Sequence, residues 1–289
     1  MKVLVLGATG MLGHVAMEVF GERFDAHGTA RDVERARALG VEGPLHRLEA
    51  GDGERLAALL DEVRPEAVVN CVGLVKQLRE ANRPAAAIEL NSLFPQQVAE
   101  ACAARQARFV ELSTDCVFSG RLDPPAAYSE EHPPDPEDLY GRSKLLGEVS
   151  GDGALTIRTS MIGWELERQS GLLEWFAAQP GPAVDGFVNA IFSGTTTRVL
   201  AGLIADLLAG YPGLSGVYHV SAAPISKYAL LEKLRDALGL ERVIVPVHEP
   251  RINRALDSTR FRAATGLDVP SWDVMLADLA QEKAHAERA

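Results

Sequence analysis

Short apolar runs alternate along the first half of the chain with stretches in which apolar residues recur every three or four positions. The runs are KVLVLG (2–7), FDAHGTAR (24–31), LHRLEA (45–50), EAVVNCVG (66–73), ARFVELS (107–113) and ALTIRTS (154–160). Between them lie helical patterns: Met11 to Phe20, DVERARAL, GERLAALLDEV, and a long one through AAAIELNSLFPQQVAEACAA. Strands with little polar alternation, separated by helices, predict a parallel sheet covered on both faces. Right-handed crossovers then make it a doubly wound α/β sheet. After Ser160 the alternation weakens to one clear helix, TTTRVLAGLIADLLAG, one more strand, GVYHVS (216–221), and helical runs near 226–238, 257–264 and 271–285. Residues 1–163 plus 194–221 are expected to form the sheet domain, and 164–193 plus 222–289 a smaller, mostly helical C-terminal cap. Arg121 to Asp138, with Pro124, Pro125, Pro133, Pro134 and Pro136, reads as a loop.

Composition narrows the class. A chain of 289 residues, 47% hydrophobic and 24% charged, has the length and mix for a real core. A net charge of −11 argues against a general nucleic-acid surface. Cys71, Cys102 and Cys116 are odd in number and lack metal-ligand spacing, which predicts a reduced, cytoplasmic chain without a metal site. No run has the length of a membrane span, and the apolar start is too short for a signal peptide.

The first strand leads into VLGATGMLGH, with Gly7, Gly10 and Gly13 spaced G-x-x-G-x-x-G. Gly7 suits the tight turn, Gly10 a close approach of backbone to a pyrophosphate, and Gly13 close helix–sheet packing. The helix that follows turns its free N–H groups and positive dipole end toward the phosphates. A dinucleotide-binding Rossmann sheet is the expectation, with Thr9, Met11 and Leu12 completing the turn. Arg31 at the end of the second strand suits a 2′-phosphate, so NADPH is expected, with NADH the alternative. Asp32 and Asp52 read as helix N-caps. Glu49 reads as a partner for the adenine amino group or as a surface acid. Asn91 reads as a satisfied helix-interface amide or as a group facing the cofactor, and by itself the residue favours the first.

The fifth strand ends in ELSTDCVFSG, which puts Ser113, Thr114 and Asp115 at a carboxyl edge where such sheets bind ligands. After the proline-rich loop, DLYGRSKLLGEV carries Tyr140 and Lys144 four apart, on one face of a helix. That spacing alone does not distinguish a proton-transfer pair from two residues on a solvated face.

GATGMLG, STDCVFSG and YGRSKLLGE, in this order, resemble the extended short-chain dehydrogenase/reductases, and within them the dTDP-4-dehydrorhamnose reductase family of nucleotide-sugar reductases. LTIRTSMIG, GTTT, GVYHVS and LDSTRF resemble that family's later segments. The resemblance implies an NAD(P)H-dependent reductase that delivers hydride to the 4-keto group of a nucleotide-diphospho-deoxysugar held between sheet and cap. It implies that Tyr140 protonates the carbonyl oxygen, that Lys144 lowers the phenol's pKa and holds the nicotinamide ribose, and that Thr114 orients the same oxygen. Cys71, Val72, Gly73, Ser113 and Ser160 join the cofactor contacts, and Asp115, Cys116, Thr195 and Arg254 join Thr114 in binding substrate. Arg251 and Arg260 offer further charge for a diphosphate, although each arginine alone reads as a surface charge. Trp164, Trp175 and Trp272 read as packing residues before base-stacking ones. Cys116 stands where the family pattern has tyrosine; it reads as a small buried hydrophobe more readily than as a nucleophile. The alternatives are a nucleotide-sugar epimerase with retained NAD and a non-catalytic NADP-binding regulatory subunit. A homodimer is open; neither nucleic acid nor membrane is an expected partner.

Overall fold

The computed structural model describes residues 1–75, 83–167 and 171–286. Strand β1 (Lys2–Leu6) lies inside the main sheet, and its neighbouring side chains enter opposite cores: Val3 and Val5 on one face, Leu4 and Leu6 on the other. A strand apolar on both faces has no stable place at a wet surface, which puts it mid-sheet.

Helix α1 (Gly13–Gly21), β2 (Asp25–Ala30), α2 (Val33–Ala38), β3 (Leu45–Arg47), α3 (Gly53–Val63) and β4 (Ala67–Asn70) form the first half. Asp32 and Asp52 cap α2 and α3, each accepting from the backbone N–H three residues on. Helix α4 (Pro84–Ile88), a π turn (Glu89–Leu93), α5 (Phe94–Ala103), β5 (Arg108–Thr114), α6 (Leu139–Leu146) and β6 (Ala154–Thr159) follow. The long helix expected at 85–104 is thus interrupted. Pro95 has no N–H to donate to the Asn91 carbonyl, and the loosened turn absorbs the gap.

The rest comprises β7 (Met161–Ile162), α7 (Leu172–Ala177), β8 (Ala183–Phe187), β9 (Ala190–Phe192), β10 (Thr195–Thr196), α8 (Thr197–Gly210), β11 (Gly216–His219), β12 (Ile225–Ser226), α9 (Lys227–Ala237), β13 (Val243–Val247), β14 (Ile252–Asn253), α10 (Thr259–Thr265) and α11 (Trp272–Ala286). Seven parallel strands make the main sheet, in the order β11-β6-β5-β4-β1-β2-β3. The order reverses at β1, so a crevice opens between the carboxyl ends of β1 and β4.

The cap has its own core, built around Leu173, Phe176, Leu230, Leu231, Trp272 and Met275. It also holds short strands that the sequence pattern did not announce: β8 pairs with β13, and β9 lies between β12 and β14. Runs of two to five residues are too short for alternation to stand out. Phe261 of α10 packs into the core of the main sheet, not that of the cap. Of the expected cap, residues 168–170 and 287–289 lie outside the described residues. Tyr128 anchors the 121–138 loop by stacking on Phe118, with ring centroids 4.2 Å apart. Among the described residues no helix is long and apolar enough to cross a membrane.

Candidate active site

A cavity of about 490 Å³ runs from the glycine turn along the carboxyl edge of the sheet and under the cap. At one end lie Gly7, Thr9, Gly10, Met11 and Leu12, with Arg31 and Glu49 beyond them. Helix α1 starts only at Gly13, and its N-cap residue Leu12 makes no side-chain cap. No acid lies in its first turn, so its positive end is uncompensated toward the cavity. The glycines differ in kind. A methyl group at Gly13 would lie 2.0 Å from the Gly7 carbonyl oxygen, so the turn itself forbids a side chain there. A methyl group at Gly10 would meet nothing nearer than 3.4 Å. The protein's own packing therefore does not demand glycine at position 10, whereas a ligand lying on the turn would.

At the other end, Ser113, Thr114, Asp115 and Cys116 form the wall at the end of β5, facing Tyr140 and Lys144 of α6. Asp138 caps α6 by accepting from the Gly141 N–H at 2.8 Å. Two glycines let the helix dock on bare carbonyls: a methyl group at Gly141 would be 2.2 Å from the Cys116 oxygen, and one at Gly147 1.9 Å from the Asn91 oxygen. The carbonyl exposed by the π turn is thus covered by α6, which fixes where Tyr140 and Lys144 point.

The Tyr140 side chain is hydrogen-bonded to Thr114. Thr114 Oγ1 also donates to Asp115 Oδ1 at 3.2 Å and accepts from the Cys116 N–H at 3.1 Å. Burial pushes the Tyr140 phenol above its ordinary range; Cys116 adds to this, the Thr114 hydrogen bond opposes it, and Asp115 and Asp138 raise it further. The expected lowering by Lys144 is not found. Lys144 Nζ is instead 2.8 Å from Glu111 Oε1, in a pair with both partners buried. Glu111 Oε2 accepts from Asn70 Nδ2 at 2.7 Å. Burial pushes the Glu111 carboxyl up, against the pull of Lys144 and Asn70.

Ser160 and Val72 line the cavity with Cys71 and Gly73, and burial pushes the Cys71 thiol up to about 12. Four expected contact residues are not on its wall. Gly13 serves the turn. Asn91 is fully buried behind the wall: Nδ2 donates to Ser143 Oγ at 3.1 Å, and Oδ1 accepts from the Leu74 N–H at 2.8 Å. It is the interface amide, and it holds α6 in place. Thr195 is fully buried, and its N–H donates to the Ser160 carbonyl at 2.8 Å. Arg254 donates through Nε to the Phe118 carbonyl at 2.9 Å. Trp164 and Trp272 donate to the Leu279 and Ala223 carbonyls, as packing residues do.

Two wall features and one supporting group escaped the sequence reading. Lys227, the first residue of α9, places Nζ 3.9 Å from the centroid of the Phe192 ring, and both residues line the cavity. Burial lowers the Lys227 ammonium to about 8, while Asp115 and Cys116 act to raise it. One signal was available: a lysine directly after an N-cap serine opposes the helix dipole. Glu111 had a signal too, since an acid inside the run FVELS needs a buried partner.

A family model described as the RmlD substrate binding domain matches residues 1–284. The chain is 29% identical over 300 residues to a probable low-salt glycan biosynthesis reductase, Agl14, of Haloferax volcanii, covering 96% of this chain and 97% of that one. It is also 29% identical over 312 residues to a dTDP-4-dehydrorhamnose reductase of Burkholderia thailandensis, covering 94% and 95%. A crystal structure of dTDP-4-dehydrorhamnose reductase from Bacillus anthracis in complex with NADP superposes with a TM-score of 0.81, at 23% identity over 97% of this chain and 99% of that one; this is a likeness of fold.

Proposed function

We propose the following for this chain, which belongs to the RmlD substrate binding domain family of the extended short-chain dehydrogenase/reductases: it is an NADPH-dependent reductase of the 4-keto group of a nucleotide-diphospho-deoxysugar. The observation that carries the reading is the meeting of Thr114, Tyr140 and Lys144 on a cavity that begins at the glycine turn. The uncapped start of α1 and a Gly10 that the protein's own packing does not demand fit a pyrophosphate, and Arg31, exposed on the wall, fits a 2′-phosphate. Bound NADPH would supply the hydride. A carbonyl oxygen beside Thr114 and Tyr140 accepts from the phenol, and from Thr114 once that hydroxyl turns its hydrogen from Asp115, and Tyr140 gives up its proton as the oxygen gains charge. A phenol held neutral by burial is already in the donor form, which suits reduction. Lys144, anchored by Glu111, keeps two further N–H donors for ribose hydroxyls.

The assay is NADPH consumption, followed by nicotinamide absorbance, against a panel of 4-keto nucleotide-sugars. Consumption with one of them supports the reading. Tightly retained NAD with no net turnover would replace it with the epimerase, and NADPH binding without any turnover with the regulatory subunit.

Two variants test the cofactor end. Gly10→Ala should melt within a few degrees of wild type yet bind NADPH about tenfold or more weakly, equivalent to about 1.4 kcal/mol. Equal affinity in a fluorescence titration would remove the pyrophosphate from the turn. Arg31→Ala should raise KM for NADPH about tenfold and leave KM for NADH nearly unchanged, because only NADPH has the 2′-phosphate. Equal effects on both would place Arg31 elsewhere in binding. The same reading gives 1–163 plus 194–221 to the cofactor and 164–193 plus 222–289 to the substrate, with Phe261 reaching back to the sheet. It includes a cytoplasmic protein and leaves the homodimer open, which light scattering would decide by mass.

A further inference from the structure

We infer that Lys227 is the cation that binds the diphosphate of the substrate, taking the part that the sequence offered to Arg251, Arg254 and Arg260. The inference rests on the nucleotide-sugar reading above and assigns a residue to it.

A diphosphate entering a partly desolvated cavity requires cationic or N–H donors there. None of the three arginines reaches the wall. Arg251 is exposed and lies 3.5 Å from Glu249. Arg254 is held by the Phe118 and Ser119 carbonyls. Arg260 lies over the Tyr218 ring, 4.7 Å from its centroid. Among the described residues, the cations that do line the cavity are Arg31, Lys144 and Lys227. Arg31 is at the glycine-turn end, and Lys144 is neutralised by Glu111. Lys227 is left for the substrate end.

Its placement fits that task. Asp115 and Cys116, beside Tyr140, are the groups that act on its charge, so it stands close to the reacting end. Its ammonium rests on the face of Phe192 and forms no ion pair among the described residues. A cation stripped of water against an aromatic ring gains more from a phosphate than a solvated one does. Lys227 also opens α9, an 11-residue helix, so the helix dipole favours the same anion. By itself a cation at that position is disfavoured; an anion bound next to it reverses the sign.

The test is calorimetric titration of dTDP, UDP and GDP into NADPH-loaded full-length protein: wild type, Lys227→Met and Lys227→Arg. The expected result is that a diphosphate bound by wild type binds Lys227→Met about tenfold or more weakly, equivalent to about 1.4 kcal/mol. Lys227→Arg should recover part of the loss, and NADPH affinity should not change. With a keto-sugar substrate, Lys227→Met should raise KM far more than it lowers kcat. Equal diphosphate affinity in wild type and Lys227→Met overturns the inference and leaves the reductase reading standing. Loss of NADPH affinity alongside the diphosphate also overturns it, because Lys227 would then be structural. Failure of wild type to bind any of the three overturns both the inference and the nucleotide-sugar reading.

Discussion

Tyr140→Phe is expected to lower turnover by about 10²–10⁴-fold, the usual contribution of a positioned acid, while NADPH affinity stays near that of wild type. The variant removes one oxygen and keeps the ring, so the cavity wall retains its shape. Thr114 is not orphaned, since its hydroxyl still donates to Asp115 and still accepts from the Cys116 N–H. The stability change should therefore be that of one hydrogen bond, about 0.5–1.5 kcal/mol. Turnover and cofactor binding thus separate in this variant, which a misfolded protein would not show. Steady-state NADPH consumption and a fluorescence titration on the same preparation provide the two readings. Wild-type turnover in the variant would mean that another group protonates the oxygen. Because burial raises the phenol, its loss as an acid should appear only above its ordinary value of about 10, and kcat should show no tyrosine-linked fall at lower pH.

Glu111→Ala is expected to destabilise the protein by about 3–5 kcal/mol, the range for breaking a buried ion pair from one side. Against a total stability of about 5–15 kcal/mol this is a large loss. The variant leaves the Lys144 ammonium buried without its carboxylate and takes the acceptor from Asn70 Nδ2. Glu111→Gln should lose less than Glu111→Ala, since its amide fills the space and its one oxygen still accepts from Asn70 or from Lys144, while its NH2 is left facing the other donor. On the proposed function both variants should lose turnover, because Lys144 loses the carboxylate that anchors it. Denaturant midpoints at unchanged slope measure the stability effect. A Glu111→Ala midpoint equal to wild type would show that the pair does not hold α6.

Features set by neighbouring residues were legible in the chain, and features set by distant ones were not. Val3 to Leu6, apolar at every position, marked a central strand because both faces of a parallel sheet must be filled. The glycine turn was readable because Gly7 and Gly13 meet within one turn of chain. The four-residue spacing put Tyr140 and Lys144 on one helix face, but their reading as a proton-transfer pair rested on the family resemblance. Asn91 was open between an interface amide and a cofactor contact, and the partner that makes it the first, Ser143, lies 52 residues away, out of reach of local pattern. The π turn was not foreseen, although Pro95 was in view, because a proline shows that a hydrogen bond is missing and not how the chain absorbs the gap.

The doubly wound sheet and the glycine turn were legible in the chain, because they follow from periodicity and from contacts within a few residues, whereas the set of Thr114, Tyr140 and Lys144 rested on the resemblance of its motifs to a known family. Which charges meet followed from the folded chain. It joined Lys144 to Glu111 across 33 residues and drew Arg254 to a carbonyl 136 residues away. It also brought Lys227 from the cap to the cavity that Tyr140 lines. A charge acts through space and solvent access, and neither is a local property of the chain.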